Sequence, residues 1–201
     1  MGVAIRRAGQ EDRAAVNALL DQVFHDDPVS AWVFPDRAHR KRKHGALMGA
    51  FLDSALSEGY VDVAVDGSAA ALWLSVPAGG QPQDEGSAAE LRQFVDPDNE
   101  RVETIAQILD ANHPTGRAHE YLMLIAVDAA AQGQGRGTEL ITSVLARCDR
   151  EGRSAYLEAS SRRSAKLYER LGFVHTGPEI VLPDGPTMWP MWRDPLPARE
   201  S

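Results

Sequence analysis

The chain has 201 residues, of which 43% are hydrophobic and 25% charged, and its formal net charge is −8. This composition is typical of a globular protein, and no apolar run reaches the roughly 18 residues that a membrane span needs. The acidic balance argues against nucleic acid as the main partner and favours a cationic substrate. The N-terminus lacks a secretory apolar segment, so we expect a cytoplasmic protein that does not associate with membranes.

The chain has a single cysteine, Cys148. One cysteine excludes an internal disulfide framework and a cysteine-based zinc site. Its neighbours at helical spacing are apolar, which favours a core residue over a catalytic thiol. We expect no metal ion in this protein.

The first half of the chain alternates patterns that are typical of strands and helices. Asp66-Gly67-Ser68 separates two apolar runs and predicts a hairpin. The predicted elements, in chain order, are a strand at 3–8, a helix with an apolar face from Val16 to Phe24, a break at 25–28, an aromatic stretch at 32–35, a helix at 37–57, and hairpin strands at 60–65 and 69–76.

The second half begins with a Pro/Gly-rich loop at 77–86. The elements predicted after it are helices at 88–95 and 102–109, a strand at 121–127, a long helix through Cys148, a strand at 154–159, a helix at 164–171, and strands at 173–182 and 187–193. This order predicts an α/β fold, with a mixed central sheet of about seven strands flanked by helices on both faces. We expect one domain over 1–195 and a frayed tail at 196–201.

The glycine-rich segment 132–137 lies between the apolar run 121–127 and the long helix. A strand, a glycine turn and a helix can form an anion site, because free N–H groups and the positive end of the helix dipole face the turn. Thr138 stands where a dinucleotide motif needs its third glycine, and the lysine of a nucleotide-hydrolysing P-loop is missing. A diphosphate suits the turn best; the alternative is a glycine turn without a ligand.

Two motifs follow one another in the second half of the chain. Gln132, Gly135 and Gly137 read as Q-x-x-G-x-G, and 167–173 reads L-Y-E-R-L-G-F. In this order they resemble the motifs of the GNAT superfamily of N-acetyltransferases. The predicted order of strands and helices also matches the GNAT fold. The blocks at 24–35, 157–160 and 183–191 are similar to the puromycin N-acetyltransferase-like branch of this superfamily.

The resemblance implies acetyl-CoA as cosubstrate. In the family, the pantetheine arm pairs with the edge of the fourth strand where this strand splays from the fifth, and here that edge corresponds to Ile125, Ala126 and Val127. Ser164 stands where the branch usually has an asparagine that contacts pantetheine, and a serine offers a shorter contact with one donor fewer. The residues implied for the diphosphate are Gln132, Gly133, Gln134, Gly135, Arg136, Gly137 and Thr138.

The family pattern also indicates catalytic residues. Tyr168 is the candidate general acid, since a phenol has a pKa close to that of a leaving thiolate. Glu158, His119 and Glu120 are candidates for the general base, and each can equally be an ordinary strand residue. If Tyr121, Met123 and Ile125 share one face of their strand, His119 shares it and Glu120 faces the other way.

The N-terminal block supplies candidates for binding the acyl acceptor. Its aromatic and acidic residues would form an apolar wall with carboxylates for a cationic or aromatic amine, and packing at a helix end is the equal alternative. These candidates are Phe24, Asp26, Asp27, Trp32 and Phe34.

The sequence thus predicts an N-acetyltransferase that moves an acetyl group from acetyl-CoA to a primary amine of a small molecule in a ternary complex. A non-catalytic acyl-CoA sensor is one alternative. A GNAT enzyme that uses another acyl-CoA, or a protein N-terminus or lysine as acceptor, is the other. We expect a monomer or a homodimer.

Overall fold

The computed structural model describes residues 3–80 and 87–197. The elements of the first half are β1 (Ile5–Arg7), α1 (Arg13–Phe24), α2 (Pro28–Val33), α3 (Arg37–Glu58), β2 (Tyr60–Ala64), β3 (Ala69–Val76), α4 (Ser87–Val95) and α5 (Glu100–Asn112). Those of the second half are β4 (His119–Val127), α6 (Arg136–Glu151), β5 (Ser154–Ala159), α7 (Arg162–Arg170), β6 (Val174–His175), β7 (Ile180–Val181) and β8 (Thr187–Arg193).

The strands form one mixed sheet of eight strands in the order β1-β2-β3-β4-β5-β8-β6, with β7 paired to β8. Only β4 and β5 run parallel among the described pairs. The predicted α/β fold with a mixed sheet is confirmed. The sheet has one strand more than the predicted seven or so, because the C-terminal segment forms two short strands.

Helices cover both faces of this sheet. Helices α1 to α5 pack on one face around a core that includes Leu20, Phe34 and Leu72. Helices α6 and α7 pack on the other face around a core that includes Trp73 and Leu140. Leu72 and Trp73 are adjacent in β3 and point to opposite faces, as the alternation of side chains along a strand requires.

Two predicted elements differ from the structure. Helix α2 begins at Pro28, the last residue of the predicted break, and extends into the predicted aromatic stretch, because Asp27 caps its N-terminus by accepting from the Val29 N–H (2.8 Å) and Pro28 occupies its first turn. The predicted strand at 173–182 is interrupted at Gly177, which has a φ of +63° and precedes a proline. The predicted loop at 77–86 and tail at 196–201 extend into 81–86 and 198–201, which lie outside the described residues.

The helices in the described ranges include none that is long and apolar enough to cross a membrane.

Strands β4 and β5 separate partway along their length. Their pairing ends at Tyr121 and Tyr156, although β5 continues to Ala159 in register with β8. The edge of β4 that faces β5 is therefore without a strand partner from Leu122 to Val127. This splay in the middle of the sheet determines where the candidate site lies.

Candidate active site

The glycine turn leads directly into helix α6. Gly133 and Gly135 have φ values of +75° and +85°, a region that residues with a side chain rarely adopt. Gly135 caps the helix, and the first intrahelical bond runs from the Glu139 N–H to the Gly135 carbonyl (2.9 Å). The N–H groups of the first helical turn are thus without intrahelical acceptors and carry the positive end of the helix dipole. This geometry suits a diphosphate.

The side chains of the turn bond to other groups of the protein and not toward the side where an anion would bind. The Gln132 amide donates to the Val127 carbonyl (3.3 Å), and the Gln134 amide donates to the Ala130 carbonyl (2.9 Å). The Arg136 guanidinium pairs with Asp66 in the β2–β3 turn (3.1 Å). The turn consequently presents its backbone as the main anion-binding group.

A β-bulge changes the faces of β4. The register passes from Leu72 opposite Leu124 to Trp73 opposite Leu122, which leaves Met123 without a partner in β3. Beyond the bulge, Ile125 packs into the core under α6 and α7, whereas Met123 packs on the other face with Tyr121. The prediction that Tyr121, Met123 and Ile125 share one face is therefore wrong for Ile125, because an unpaired residue reverses the alternation.

A cavity of about 280 Å³ opens at the splay. Its apolar walls come mainly from α1, α3, α5 and β4 and include Phe24, Leu47, Met48, Phe51, Ile105, Leu109 and Met123. Ser164 and Tyr168 of α7 also line it, although α7 packs on the opposite face of the sheet. The cavity therefore reaches both sides of the sheet through the gap between β4 and β5.

Glu158 contributes a carboxyl group to this cavity. Its Oε1 atom is inaccessible to solvent and, among the described residues, has no hydrogen-bond partner. Burial raises the pKa of Glu158 to about 7, an effect that the nearby Tyr156 and Tyr121 hydroxyl groups partly offset. A carboxyl group with this pKa is poised to exchange a proton near neutral pH.

Tyr168 lines the same cavity and is 6% exposed. Its ring contacts Phe173 edge-on, with the ring centroids 6.0 Å apart. Burial raises the pKa of the phenol, so Tyr168 carries its proton at neutral pH. A protonated phenol in a cavity can donate its proton to a developing anion.

Ser164 also lines the cavity, but its hydroxyl group serves the N-terminus of α7. Its Oγ donates to the Ser161 carbonyl (2.8 Å) and accepts from the Ser161 N–H (3.2 Å). An asparagine here would have an amide left for a ligand, whereas the Ser164 hydroxyl is used within the cap.

His119 faces the same side of β4 as Tyr121 but does not line the cavity. It is fully buried, its Nδ1 lies 2.8 Å from the Arg117 carbonyl, and its Nε2 lies 2.9 Å from Nε2 of His113. The carbonyl can only accept, so this network assigns the His119 proton to Nδ1 and makes His113 the donor between the rings. His113 lines the cavity, so His119 reaches it only through His113.

Glu120 faces the opposite side of the sheet, as predicted. It is 1% exposed and accepts from the Tyr60 hydroxyl (2.5 Å) and from Arg153 (2.7 Å). Ser75 and Arg147 complete this network. Glu120 therefore ties β4 to its neighbours and does not face the cavity.

The five acceptor-site candidates divide into two groups. Phe24 and Asp27 line the cavity, and Asp27 accepts a hydrogen bond from the Ser160 hydroxyl (2.9 Å). Burial raises the pKa of Asp27, partly offset by that bond. Trp32 lies outside the cavity lining, because its indole donates to the Pro183 carbonyl (2.7 Å). Phe34 is a core residue and Asp26 is exposed.

Several polar residues of the cavity are not among the candidates predicted from the sequence. His113 directly follows α5, which ends three residues later than the predicted helix and carries it to the cavity. Ser30 lies in α2, in a stretch for which no element is predicted. The Asp27-Pro28 pair is a helix-start pattern and could have identified α2, and with it Ser30.

The comparisons with known proteins agree with this geometry. The model of the acetyltransferase (GNAT) domain family matches residues 92–193. The chain is similar to a solved Corynebacterium glutamicum protein described as histone acetyltransferase HPA2 and related acetyltransferase, with 28% identity, coverage of 100% of both chains and a TM-score of 0.74.

Two further solved structures share the fold at lower identity. Arylalkylamine N-acetyltransferase 2 from Aedes aegypti is 15% identical, with 96% of this chain and 99% of that chain covered and a TM-score of 0.66. The polyamine N-acetyltransferase of Drosophila melanogaster, described as forming N-acetylagmatine, is 15% identical over the same shares, with a TM-score of 0.61. With the family model matching half of its residues and the splayed sheet in place, this chain belongs to the GNAT family of acetyltransferases and is an acyltransferase.

Proposed function

We propose that this protein, as a single domain over residues 1–195, transfers an acetyl group from acetyl-CoA to the primary amine of a small molecule by direct attack in a ternary complex. The observation that carries the proposal is the cavity that passes through the gap between β4 and β5. It joins the apolar space under α1, α3 and α5 to Tyr168 of α7 on the far side of the sheet. A donor on one side and an acceptor on the other can meet there.

The residues fit acetyl-CoA in two places. The backbone N–H groups from Gly133 to Thr138 form the cradle for the diphosphate. The unpaired edge of β4 at Ile125, Ala126 and Val127 can accept the peptide-like pantetheine arm as a strand partner. A backbone N–H at this edge would also polarise the thioester carbonyl. Acetyl-CoA supplies the activated acetyl group, and the protein holds it in position.

Two cavity residues take the proton-transfer roles. Glu158 acts as general base for the acceptor amine, since it faces the cavity directly with a pKa of about 7. Tyr168 acts as general acid for the leaving thiolate. His119 is less well placed than Glu158, because it contacts the cavity only through His113.

The acceptor that fits best is a small amine with an apolar or aromatic body. Phe24 and the apolar walls would pack against that body, and the Asp27 carboxylate would attract the ammonium group. Two of the solved relatives are named for small amines, an arylalkylamine and a polyamine, which supports this acceptor class.

A panel of acceptors with CoA release as the readout tests the proposal. The panel contains arylalkylamines, diamines, amino acids and a peptide with a free N-terminus, each with acetyl-CoA and with a longer acyl-CoA. We expect the fastest CoA release from acetyl-CoA with an arylalkylamine, and an acetylated amine by mass spectrometry. CoA binding without release for any amine would indicate a sensor instead, and release with the peptide alone would indicate a protein acceptor.

A further inference from the structure

Three polar side chains form a hydrogen-bonded chain behind one wall of the cavity. Ser30 of α2 lines the cavity, and its Oγ lies 2.9 Å from Nε2 of His44 in α3. The Nδ1 atom of His44 lies 2.6 Å from Oδ1 of Asp21 in α1. The His44 side chain is fully buried, whereas the Asp21 side chain is 39% exposed. Three helices thus converge on one imidazole.

The chemistry of these groups assigns the protons. An ionised carboxylate can only accept, so His44 carries its proton on Nδ1 and donates it to Asp21. Nε2 of His44 then has a free electron pair, and the Ser30 hydroxyl donates to it. The Ser30 oxygen keeps its own electron pairs for a donor inside the cavity. This arrangement of serine, histidine and carboxylate is one that moves protons in unrelated enzymes.

The groups around His44 keep its ring neutral at rest, and the Asp21 carboxylate favours its protonated form. Burial lowers the pKa of His44, and His25 and Arg40 lower it further, while Asp21 opposes them. The His25 ring lies edge-on to His44 with the centroids 5.7 Å apart. Asp27 also interacts electrostatically with His44, and it stands in the same cavity wall as Ser30. Its carboxylate would draw an ammonium group toward Ser30.

We propose that Ser30 is a catalytic residue of this acetyl transfer and that His44, held by Asp21, accepts the first proton of the acceptor ammonium through the Ser30 hydroxyl. The inference rests on the proposed function, since it needs an amine as acceptor. The amine N–H bond breaks as an Oγ–H bond forms on Ser30, and the former Ser30 proton forms a bond with Nε2 of His44. The resulting imidazolium is stabilised by the Asp21 carboxylate.

The protons of the whole reaction then balance. The acceptor nitrogen loses two protons in becoming an amide, and the leaving thiolate gains one from Tyr168. Glu158 takes the second proton of the nitrogen. This gain of one proton offsets the proton that Tyr168 loses. The first proton passes to His44 and returns through Ser30 to water once the cavity refills. One proton is released for each ammonium acetylated.

The second histidine chain of the cavity does not fit this role. Burial and the neighbouring His119 lower the pKa of His113 to about 3. Nε2 of His113 already donates to His119, and that chain ends on the Arg117 carbonyl rather than on a carboxylate. The Ser30 chain differs because a carboxylate lies directly against its histidine.

Two amines of nearly equal shape test the proposal. 2-Phenylethylamine is cationic at about pH 8, whereas its β,β-difluoro analogue is largely neutral there, because fluorine withdraws electrons from the nitrogen. Ser30→Ala and Asp21→Asn should each lower kcat for 2-phenylethylamine, Ser30→Ala by about 100-fold. Both variants should leave kcat for the difluoro analogue unchanged, since that amine has no first proton to lose.

The matched control is His39→Gln. His39 also lies in α3 and also contacts a carboxylate, with Nε2 at 2.6 Å from Oδ2 of Asp96, but it does not line the cavity. This variant should keep both rates. Equal losses with the two amines would show a packing role and overturn the proposal, as would no loss with either amine. A wild-type protein that acetylates no amine would overturn the proposed function together with this inference.

Discussion

In the proposed function, the two sides of the cavity recognise their ligands in different ways. On the donor side, a short continuous segment around Gly135 presents backbone N–H groups, and an open strand edge presents more backbone. On the acceptor side, side chains from α1, α2, α3 and α5 converge from distant parts of the chain. Backbone recognition suits a ligand that never changes, whereas a wall of side chains can be altered one residue at a time. On this proposal, the fold separates a fixed cosubstrate from an adaptable acceptor.

The largest effect is expected on the donor side, from Gly135→Glu. A carboxylate at the cradle opposes the diphosphate at close range, and we expect CoA affinity to fall by about 100- to 1,000-fold. Isothermal titration calorimetry with CoA measures the change. Gly152→Glu is the matched control, because Gly152 ends the same helix with a φ of +66° and has equally open space around it. Equal weakening by both variants would assign the effect to backbone strain.

The Tyr168→Phe variant tests the point where the two sides meet. Removal of the hydroxyl leaves the thiolate without its acid, and we expect kcat to fall by about 100-fold. The CoA dissociation constant should stay the same, since the ring remains packed against Phe173. An unchanged kcat with intact CoA affinity would contradict the role of Tyr168 as acid.

Glu158 should set the pH dependence of turnover. As a base it must be ionised, and its pKa of about 7 predicts a kcat that rises as the pH increases through 7 and then levels. Glu158→Gln should lower the plateau by about tenfold or more and remove this limb of the pH profile. This pH profile is measured as kcat for one amine between about pH 5 and pH 9, a range that extends about two pH units to each side of the Glu158 pKa. A limb that persists in the variant would assign it to another group.

The smallest of these effects is expected from a single residue of the acceptor wall. Asp27→Asn removes the charge that attracts the ammonium group but keeps the cap of α2, since asparagine caps helices well. We expect the KM for a cationic amine to rise by about tenfold, with little change in CoA affinity. Asp26→Asn is the control, because the neighbouring Asp26 side chain is 71% exposed and does not line the cavity. Equal changes in both variants would argue for a general effect of surface charge.

The donor side could be predicted from the sequence because its determinants are local. The glycine spacing at 132–137, the strand before it and the helix after it lie in one continuous stretch. The bulge at Met123 escaped prediction, since it depends on the register with β3. That one unpaired residue is why Ile125 faces away from Tyr121.

The acceptor side could be predicted only in part. Phe24 and Asp27 were identified from a block of aromatic and acidic residues, but the same block contains Trp32, which packs against the Pro183 carbonyl instead. Ser30 and His44 are 14 residues apart and meet only because α2 and α3 pack together. Contacts between helices of this kind leave no fixed spacing in a sequence.

The outer edges of the sheet and the open edge of β4 differ in how far they are accessible to other proteins. The outer strands of the sheet are β1, with three residues of which two are arginines, and β6 and β7, with two residues each along β8. Such short or charged edges offer little template for pairing with another chain, which is how soluble proteins avoid aggregation through their sheets. Among the described strands, the long open edge is that of β4, which lies inside a gap bounded by β5. A thin extended ligand can enter this gap more readily than the edge of another sheet, so the open edge proposed to bind pantetheine is shielded from pairing with another protein.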